Sequence, residues 1–367
     1  MSMDQVGIAS AILGSRPLPG PGLSSVCMGQ FATELEPLVI SGLVSLKSLT
    51  CIEIKVTIIS DQLLFAIAKK VLPLRKLALV NCSNYSYAAI FSLVSKCQLI
   101  QDLNLTCNLF LEDKHISELS MLLRNLMGVN LGYCKLLTSL SFFALTRNCP
   151  SLSWINMEET SIGGMNGTKD FSMDFVANPQ VESLYLARNS MLTDESIKIF
   201  ASICPNLQLL DLSNVSRRTS RDLSKGVFEV LKRCSKIRHL TLASHSMLKQ
   251  AGMNLQVLGL EVLDLSSSGI DDTSLFMISR SCRRLLRLNL SACSNITTKG
   301  VKKVIKKCKL LREINLRSCA KVATSIVAWM VFARPSLRNI VPPDRFRLSE
   351  YQWEDERFKI VDSFERF

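Results

Sequence analysis

Thirteen cysteines and three histidines are the side chains of this 367-residue chain best suited to chemistry, since they can form disulfides, bind metals or act as nucleophiles. No Cys-x-x-Cys pair occurs, and the histidines do not fall at the spacings of a zinc site. Ten cysteines instead recur at two fixed points of a repeating pattern, which indicates small buried side chains. They are Cys82, Cys97, Cys134, Cys149, Cys204, Cys234, Cys282, Cys293, Cys308 and Cys319. We therefore expect reduced cysteines, no metal and no cofactor, in a protein of the nucleus or cytoplasm.

Motifs of known enzyme chemistry are absent from the sequence. It contains no Walker loop, no dinucleotide-binding glycine motif ahead of a helix, no His-Glu-x-x-His and no nucleophile elbow. The Asn and Asp residues that stand out in short apolar segments recur with the repeat, and we expect them to face solvent rather than pair as catalytic acids. The sequence therefore predicts a protein that is not an enzyme.

A leucine pattern organises the chain. Leu285, Leu288, Leu290 and Cys293 fit the consensus L-x-x-L-x-L-x-x-C, and the same frame returns about every 26 residues. Regular units begin at Leu49, Leu74, Ile100, Leu126, Leu152, Val181, Leu207, Ile237, Leu260, Leu285, Leu311 and Leu337. Each unit alternates apolar and polar residues as a short strand does, and then shows helical spacing. We predict an α/β leucine-rich-repeat solenoid, a horseshoe with a parallel sheet on its concave face and helices on its convex face.

Composition shifts along the chain predict three parts. Residues 1–22 end in a proline- and glycine-rich stretch and are expected to be a disordered or truncated lead. Residues 23–340 are the repeat domain, of about 11–13 units, with a weak capping unit at the start. Residues 341–367 begin with two prolines, mix charges with aromatics and predict a C-terminal cap over the end of the core.

Three repeat spacings depart from the average. The units that begin at Leu152 and Leu207 are 29 and 30 residues long, and the unit that begins at Ile237 has only 23 residues, so its helix is expected to be lost. Insertions in solenoids often carry a binding loop, and drift in a tolerant scaffold is the alternative for each of them.

Further residues recur beside the leucines. Cys149-Pro-Ser-Leu152 and Cys204-Pro-Asn-Leu207 share a Cys-Pro-x-Leu signature. Over residues 49–340 the pattern resembles the cysteine-containing, RNI-like subclass of leucine-rich repeats. That subclass is similar to the substrate-binding part of F-box/leucine-rich-repeat proteins, including plant members that are receptors in Skp1–cullin–F-box (SCF) ubiquitin ligases. The resemblance implies a substrate receptor that captures a protein for ubiquitin-dependent degradation.

One segment of that family is not visible. The F-box, a helical segment that opens with a Leu-Pro-Asp/Glu motif, has no clear counterpart in residues 1–48. The sequence therefore predicts a relative whose F-box is missing or truncated, with a Skp1-type adaptor as partner only if an F-box lies upstream. A standalone interaction or regulatory protein that does not recruit ubiquitination machinery remains the alternative.

The polar side chains that alternate with the inward leucines form the candidate partner-binding surface. Trp154 and Tyr185 come from consecutive units, so we expect them to lie close together on the concave face, beside the irregular residues 161–179. Aromatics among polar groups are typical of a binding hot spot, whereas a solvated sheet face with two incidental aromatics is the alternative. The full candidate set is Trp154, Asn156, Glu158, Tyr185, Asp211, His239, Asp264, Arg287, Asn289, Asn315 and Arg317.

The net charge of +13 is concentrated in one stretch. Residues 217–321 hold 22 Lys and Arg against 7 Asp and Glu, a net charge of +15, and the remainder sums to −2. Many of these lysines fall on the polar faces of predicted helices, where a solvated surface is the simpler interpretation. An acidic partner, or an anion held by Arg287 and Arg317, is the alternative. No aromatic-interleaved basic motif indicates nucleic-acid binding, and no apolar run is long enough to span a bilayer, so neither partner is expected.

Overall fold

The computed structural model of the chain describes residues 24–29, 36–163, 175–215, 223–245, 259–346 and 359–360. Strands and helices alternate along these residues, and the chain divides into two compact units. The strands of the first unit are β1 (Ser25–Met28), β2 (Cys51–Lys55), β3 (Lys76–Val80), β4 (Asp102–Asn104), β5 (Gly128–Asn130) and β6 (Trp154–Asn156). Its helices are α1 (Glu36–Ser45), α2 (Asp61–Lys69), α3 (Tyr87–Lys96), α4 (Asp113–Leu122) and α5 (Ser139–Asn148).

The second unit continues the alternation. Its strands are β7 (Ser183–Tyr185), β8 (Leu209–Asp211), β9 (His239–Thr241), β10 (Val262–Asp264), β11 (Arg287–Asn289), β12 (Glu313–Asn315), β13 (Asn339–Val341) and β14 (Lys359–Ile360). Its helices are α6 (Asp194–Ile203), α7 (Ser224–Arg233), α8 (Asp272–Ser281), α9 (Thr298–Lys307) and α10 (Ile326–Ala333).

Within each unit, consecutive strands pair in parallel and in register. Successive strand residues point to opposite faces, so equivalent repeat positions form columns across each sheet. One face of the sheet packs its leucines into the core, and we call the other, on which the first and third strand residues lie, the open sheet face. The architecture is the predicted α/β leucine-rich-repeat solenoid.

The predicted repeat starts are confirmed. All twelve, from Leu49 to Leu337, are at most 3% exposed, and so are Val26 and Met28 of the weak first unit. The helices bury the side predicted from their spacing: in α9, Val301, Val304 and Ile305 are in the core.

The cysteines occupy two structural positions, and the ten that recur with the repeat are buried as predicted. Six of them directly follow a helix, as Cys308 follows α9. The other four come after the strand, where Sγ donates a hydrogen bond to a buried carbonyl of the preceding repeat, for example from Cys134 to Leu105 over 3.1 Å. Asn108 and His245 fill the same position with a nitrogen that bonds the equivalent carbonyl. A buried carbonyl needs such a partner, which explains the polar hydrogen that these repeats carry at this position. Val215, which is buried at the same position of its repeat, is an apolar exception.

Several sequence predictions fall outside the described residues. They concern the lead, the loops expected in the long units that begin at Leu152 and Leu207, and the lost helix of the short unit that begins at Ile237. The cap predicted for residues 341–367 remains a prediction as well, although Lys359 and Ile360 pair in parallel with β13.

Candidate partner-binding surface

The last residue of most short strands is Asn or Asp, and its side chain folds onto the turn that follows. In seven of the described repeats its Oδ1 accepts a hydrogen bond from the backbone N–H two residues later, over 2.8–3.1 Å. Five of these residues belong to the predicted set: Asn156, Asp211, Asp264, Asn289 and Asn315. Because this bond occupies Oδ1, each of them stabilises its strand–turn junction whatever else it contacts.

Three of the five are more buried than the sequence suggested. Asp264, Asn289 and Asn315 are 7%, 9% and 8% exposed, so the expectation that they face solvent is wrong for these residues. Asn289 also donates from Nδ2 to Oδ2 of Asp264 over 3.0 Å, because their strands are neighbours in register. This side-chain contact removes polar atoms of both residues from solvent. The partner-binding role predicted for them remains a prediction.

Trp154 lies half-buried on the open sheet face of the first unit, and its indole covers the backbone of Gly128 on the neighbouring strand. A Cβ at Gly128 would overlap Nε1, Cε2 and Cζ2 of the indole. Glycine on β5 therefore allows the ring to lie flat along the sheet, a cross-strand arrangement in which an aromatic covers the exposed glycine backbone. A ring held in this way is an apolar contact surface of fixed position.

An ion-pair cluster lies in the same unit, toward β2. Glu53 bonds Lys55 over 2.7 Å and Lys76 over 2.6 Å. The hydrogen bonds to these two lysines lower the pKa of Glu53 to about 2. Between the cluster and Gly128, Asp102 is half-buried, and burial raises the pKa of its carboxyl group. The open sheet face of this unit thus changes from charged at β2 and β3 to aromatic at β6.

Glu158 follows β6 in the turn. Its backbone N–H completes the Asn156 turn, and its carboxylate accepts a hydrogen bond from the phenol of Tyr133 over 3.3 Å. Tyr133 stands in the equivalent turn of the preceding repeat and adopts a left-handed backbone with φ 64°. The predicted neighbours Trp154, Asn156 and Glu158 are therefore brought together at one end of the first unit's sheet.

Tyr185 is at the start of the second unit's sheet and is half-buried beside Asp211, its in-register neighbour on β8. Burial, with a further contribution from Asp211, raises the pKa of the Tyr185 phenol. Burial also raises the pKa of Asp211, against the hydrogen bonds from Ser213. Because Trp154 and Tyr185 belong to different units, their predicted proximity remains a prediction.

The rest of the second unit's open sheet face mixes basic, acidic and apolar side chains. His239, Val262 and Arg287 share one column, and the apolar Val262 between them is only 8% exposed. Arg287 forms an ion pair with Glu313 over 3.2 Å, and Glu313 also accepts a hydrogen bond from Asn339 over 3.2 Å.

His239 and Arg317, the remaining members of the predicted set, are both exposed basic residues of the second unit. His239 is exposed at the surface, and partial desolvation of its imidazole lowers its pKa. Arg317 is exposed in the turn after β12, where its backbone N–H bonds Asn315. The structure thus groups the predicted residues into two sets, each on the open sheet face or in the adjoining turns of its own unit.

Sequence reasoning missed two parts of this surface. Gly128 was not in the predicted set, although a glycine in a strand column of polar residues is a signal of close approach. Glu53 was not in the predicted set either, because its lysine partners in the ion-pair cluster are 2 and 23 residues away. The strand register is needed to see that Gly128 lies opposite Trp154 and that Lys76 lies beside Glu53.

The described residues hold no group of three His, Cys, Asp or Glu side chains placed to bind a metal ion. In the same part of the chain, no helix has the length and apolar character required to cross a membrane.

The chain is similar to known proteins both in sequence and in fold. No family model matches the chain. It is similar to F-box/LRR-repeat protein 4 of Bos taurus, with 26% identity over 188 residues that cover 46% of this chain. The chain spans only 27% of that relative's length. A chain from the crystal structure of the yeast Rad7 and Elc1 complex aligns with 91% of this chain and 81% of its own, at a TM-score of 0.57 and 16% identity. The structural match is one of fold, and it agrees with the leucine-rich-repeat architecture described above.

Proposed function

We propose that this protein is a non-catalytic recognition subunit of a ubiquitin ligase, which captures a protein partner on its open sheet face. The observation that carries the proposal is the Trp154 indole over Gly128 among polar side chains, in a chain whose sequence is similar to part of F-box/LRR-repeat protein 4. The role in a ubiquitin ligase is carried over to this chain from the name of that relative.

The surface suits a folded or extended polypeptide. Parallel strands in register present their side chains at intervals of roughly 4.8 Å, so one partner meets several repeats at once. An indole of fixed position contributes apolar contact area with little loss of rotamer entropy, which is typical of binding hot spots. Asn130 and Asn156, on the strand beside the indole and on its own strand, already bond their own turns, so they form a pre-organised polar rim.

Recruitment of a ubiquitin ligase is proposed by analogy with a protein of similar fold. The yeast protein with a similar fold was crystallised in complex with a second protein, Elc1. By analogy, we propose that this chain also works beside an adaptor, of the Skp1 type if an F-box is part of the natural protein. The adaptor would link the captured partner to the ubiquitination machinery.

The test is affinity purification of the full natural protein from cells of its source, with proteasome activity blocked. We expect an adaptor and a cullin to co-purify with it, together with a protein that carries ubiquitin chains. In the Trp154→Ala variant the adaptor and cullin should remain while the ubiquitinated protein is lost. Recovery of the partner without any adaptor or ubiquitin would favour the standalone interaction protein instead.

A further inference from the structure

The exposed side of α9 is a row of lysines. Its sequence, Thr-Lys-Gly-Val-Lys-Lys-Val-Ile-Lys-Lys, contains five lysines and no acidic residue. None of the five forms an ion pair with another described residue. Asp272 of the neighbouring helix α8 is engaged by Thr297. Like charges three or four residues apart destabilise a helix by about 0.2–0.5 kcal/mol per pair. Cation–π contacts of Lys302 and Lys306 with Trp329, and of Lys303 with Phe276 of α8, offset part of this cost.

The exposed side of the next helix, α10, is apolar. Its sequence, Ile-Val-Ala-Trp-Met-Val-Phe-Ala, has no charged or polar residue. Ile326, Val327 and Met330 enter the core, whereas Phe332 is 80% exposed. Trp329 is half-buried below two lysines of α9, with Nζ of Lys302 at 5.3 Å and Nζ of Lys306 at 6.0 Å from its ring centroid. A helix that exposes only lysines therefore lies beside one that exposes only apolar side chains.

We propose that this lysine–aromatic face, formed by Lys299, Lys302, Lys303, Lys306 and Lys307 of α9 with Trp329 and Phe332 of α10, binds the surface of anionic membranes. Clusters of four to eight basic residues on a helix attract anionic lipid headgroups, while Trp and Phe insert at the boundary with the acyl chains. The expectation of no membrane partner rested on the lack of a spanning segment, which peripheral binding does not require.

The chemistry of the face favours lipid over other polyanions. Lysine is a hydrated point charge on a flexible stem, suited to a fluid layer of headgroups, whereas the guanidinium fork of arginine is favoured in protein interfaces, where lysine is depleted. Nucleic acid would use the lysines, but a single strand binds in a basic groove in which aromatic residues are interleaved, and here the lysines lie on one helix and the aromatics on the next. A layer of anionic headgroups above acyl chains engages the lysines and the exposed Phe332 together. The inference is independent of the proposed function.

Vesicle flotation with the full chain tests this directly. We expect binding to vesicles of phosphatidylcholine and phosphatidylserine, little binding to phosphatidylcholine alone, and weakening as salt is raised. Each lysine near an anionic surface strengthens binding about fivefold, so the Lys302→Glu/Lys306→Glu variant should bind about 25-fold more weakly or worse.

Phe332→Ser should weaken binding while it retains the charge. Tryptophan fluorescence should shift to the blue on binding, and Trp329→Phe should abolish that shift.

The matched control is Lys69→Glu/Lys96→Glu, which makes the same change in net charge at the exposed ends of α2 and α3. It should bind vesicles as the natural chain does, and circular dichroism should show that both variants are folded. Equal loss in the control, equal binding to both kinds of vesicle or no vesicle binding would each overturn the proposal. So would binding of a short DNA duplex or a poly-glutamate peptide that depends on Lys302 and Lys306 in the absence of vesicle binding.

Discussion

The pair Gly128 and Trp154 shows how a single missing Cβ determines the position of an aromatic side chain on the open sheet face. In the Gly128→Ala variant the new methyl group would occupy the place of the indole, which must leave its rotamer. We expect a loss of stability of about 1 kcal/mol or more, measured by urea unfolding, and altered tryptophan fluorescence.

A double-mutant cycle separates this contact from general effects of glycine. In a Trp154→Ala background the Gly128→Ala change should cost little, because no ring remains to be displaced. Gly42→Ala, where a Cβ meets nothing within 4 Å, is the control and should not lower stability. If Gly128→Ala costs the same with and without Trp154, the two residues are not coupled.

Asp211 differs from the asparagines that hold the same turn in other repeats, because burial raises the pKa of its carboxyl group. A folded-state pKa above the unfolded value means that the folded protein binds the proton more tightly, so stability is lost as pH rises through that interval. Asp211→Asn keeps the Oδ1 acceptor and removes the charge.

We therefore expect the Asp211→Asn variant to have a higher Tm than the natural chain at pH 7. The advantage should shrink as pH falls below the raised pKa of Asp211, as followed by thermal unfolding over a pH series. An advantage that grows in acid would contradict the sign of this shift.

At the scale of elements, neighbouring helices are connected at their N-termini by a repeated aspartate contact. Asp272, the first residue of α8, accepts hydrogen bonds from the backbone N–H and the hydroxyl of Thr297, over 2.8 and 2.5 Å, at the residue that precedes α9. Asp113 binds Thr138 in the same way in the first unit. Gly300 allows the approach, because a Cβ there would overlap the Asp272 carboxylate.

Asp272→Ala should lower the free energy of unfolding by about 2 kcal/mol, since it leaves two donors at the start of α9 without this partner. Asp272→Asn should cost less, because it retains an acceptor oxygen. Gly300→Ala should also destabilise the protein, through the overlap with the carboxylate. Urea unfolding measures all three, and a neutral Asp272→Ala would show that water replaces the contact at no cost.

The strands and helices could be predicted from the sequence, whereas the side-chain contacts between neighbouring repeats could not. The period of the leucines predicted the strands, and the spacing of residues such as Val301 and Val304 predicted the buried sides of the helices, because both follow from local geometry. The contacts of Asp272 with Thr297 and of Trp154 with Gly128 each join residues 25 or 26 positions apart. They depend on which side chains the register places opposite each other, and the consensus does not specify that.

At the scale of the whole molecule, the two sides of the repeats carry different surfaces. The open sheet face combines an aromatic side chain over Gly128 with turn-bonded polar groups. The helix side of the second unit carries lysines that form no ion pair with another described residue, together with exposed apolar residues. We assign protein capture to the first and membrane attachment to the second. The two roles are separable, because no side chain is shared between them.

The central claim is that a protein partner is captured on the open sheet face, and the most direct test is binding of the identified partner to purified variants at physiological salt. Trp154→Ala and Tyr185→Ala should each weaken capture by about 2 kcal/mol or more, roughly 30-fold in Kd, with little loss of folding. Lys302→Glu/Lys306→Glu should leave capture nearly unchanged, since exposed charges are screened. Loss of capture in the lysine variant, with the aromatic variants unaffected, would contradict the account and place the site on the helix side.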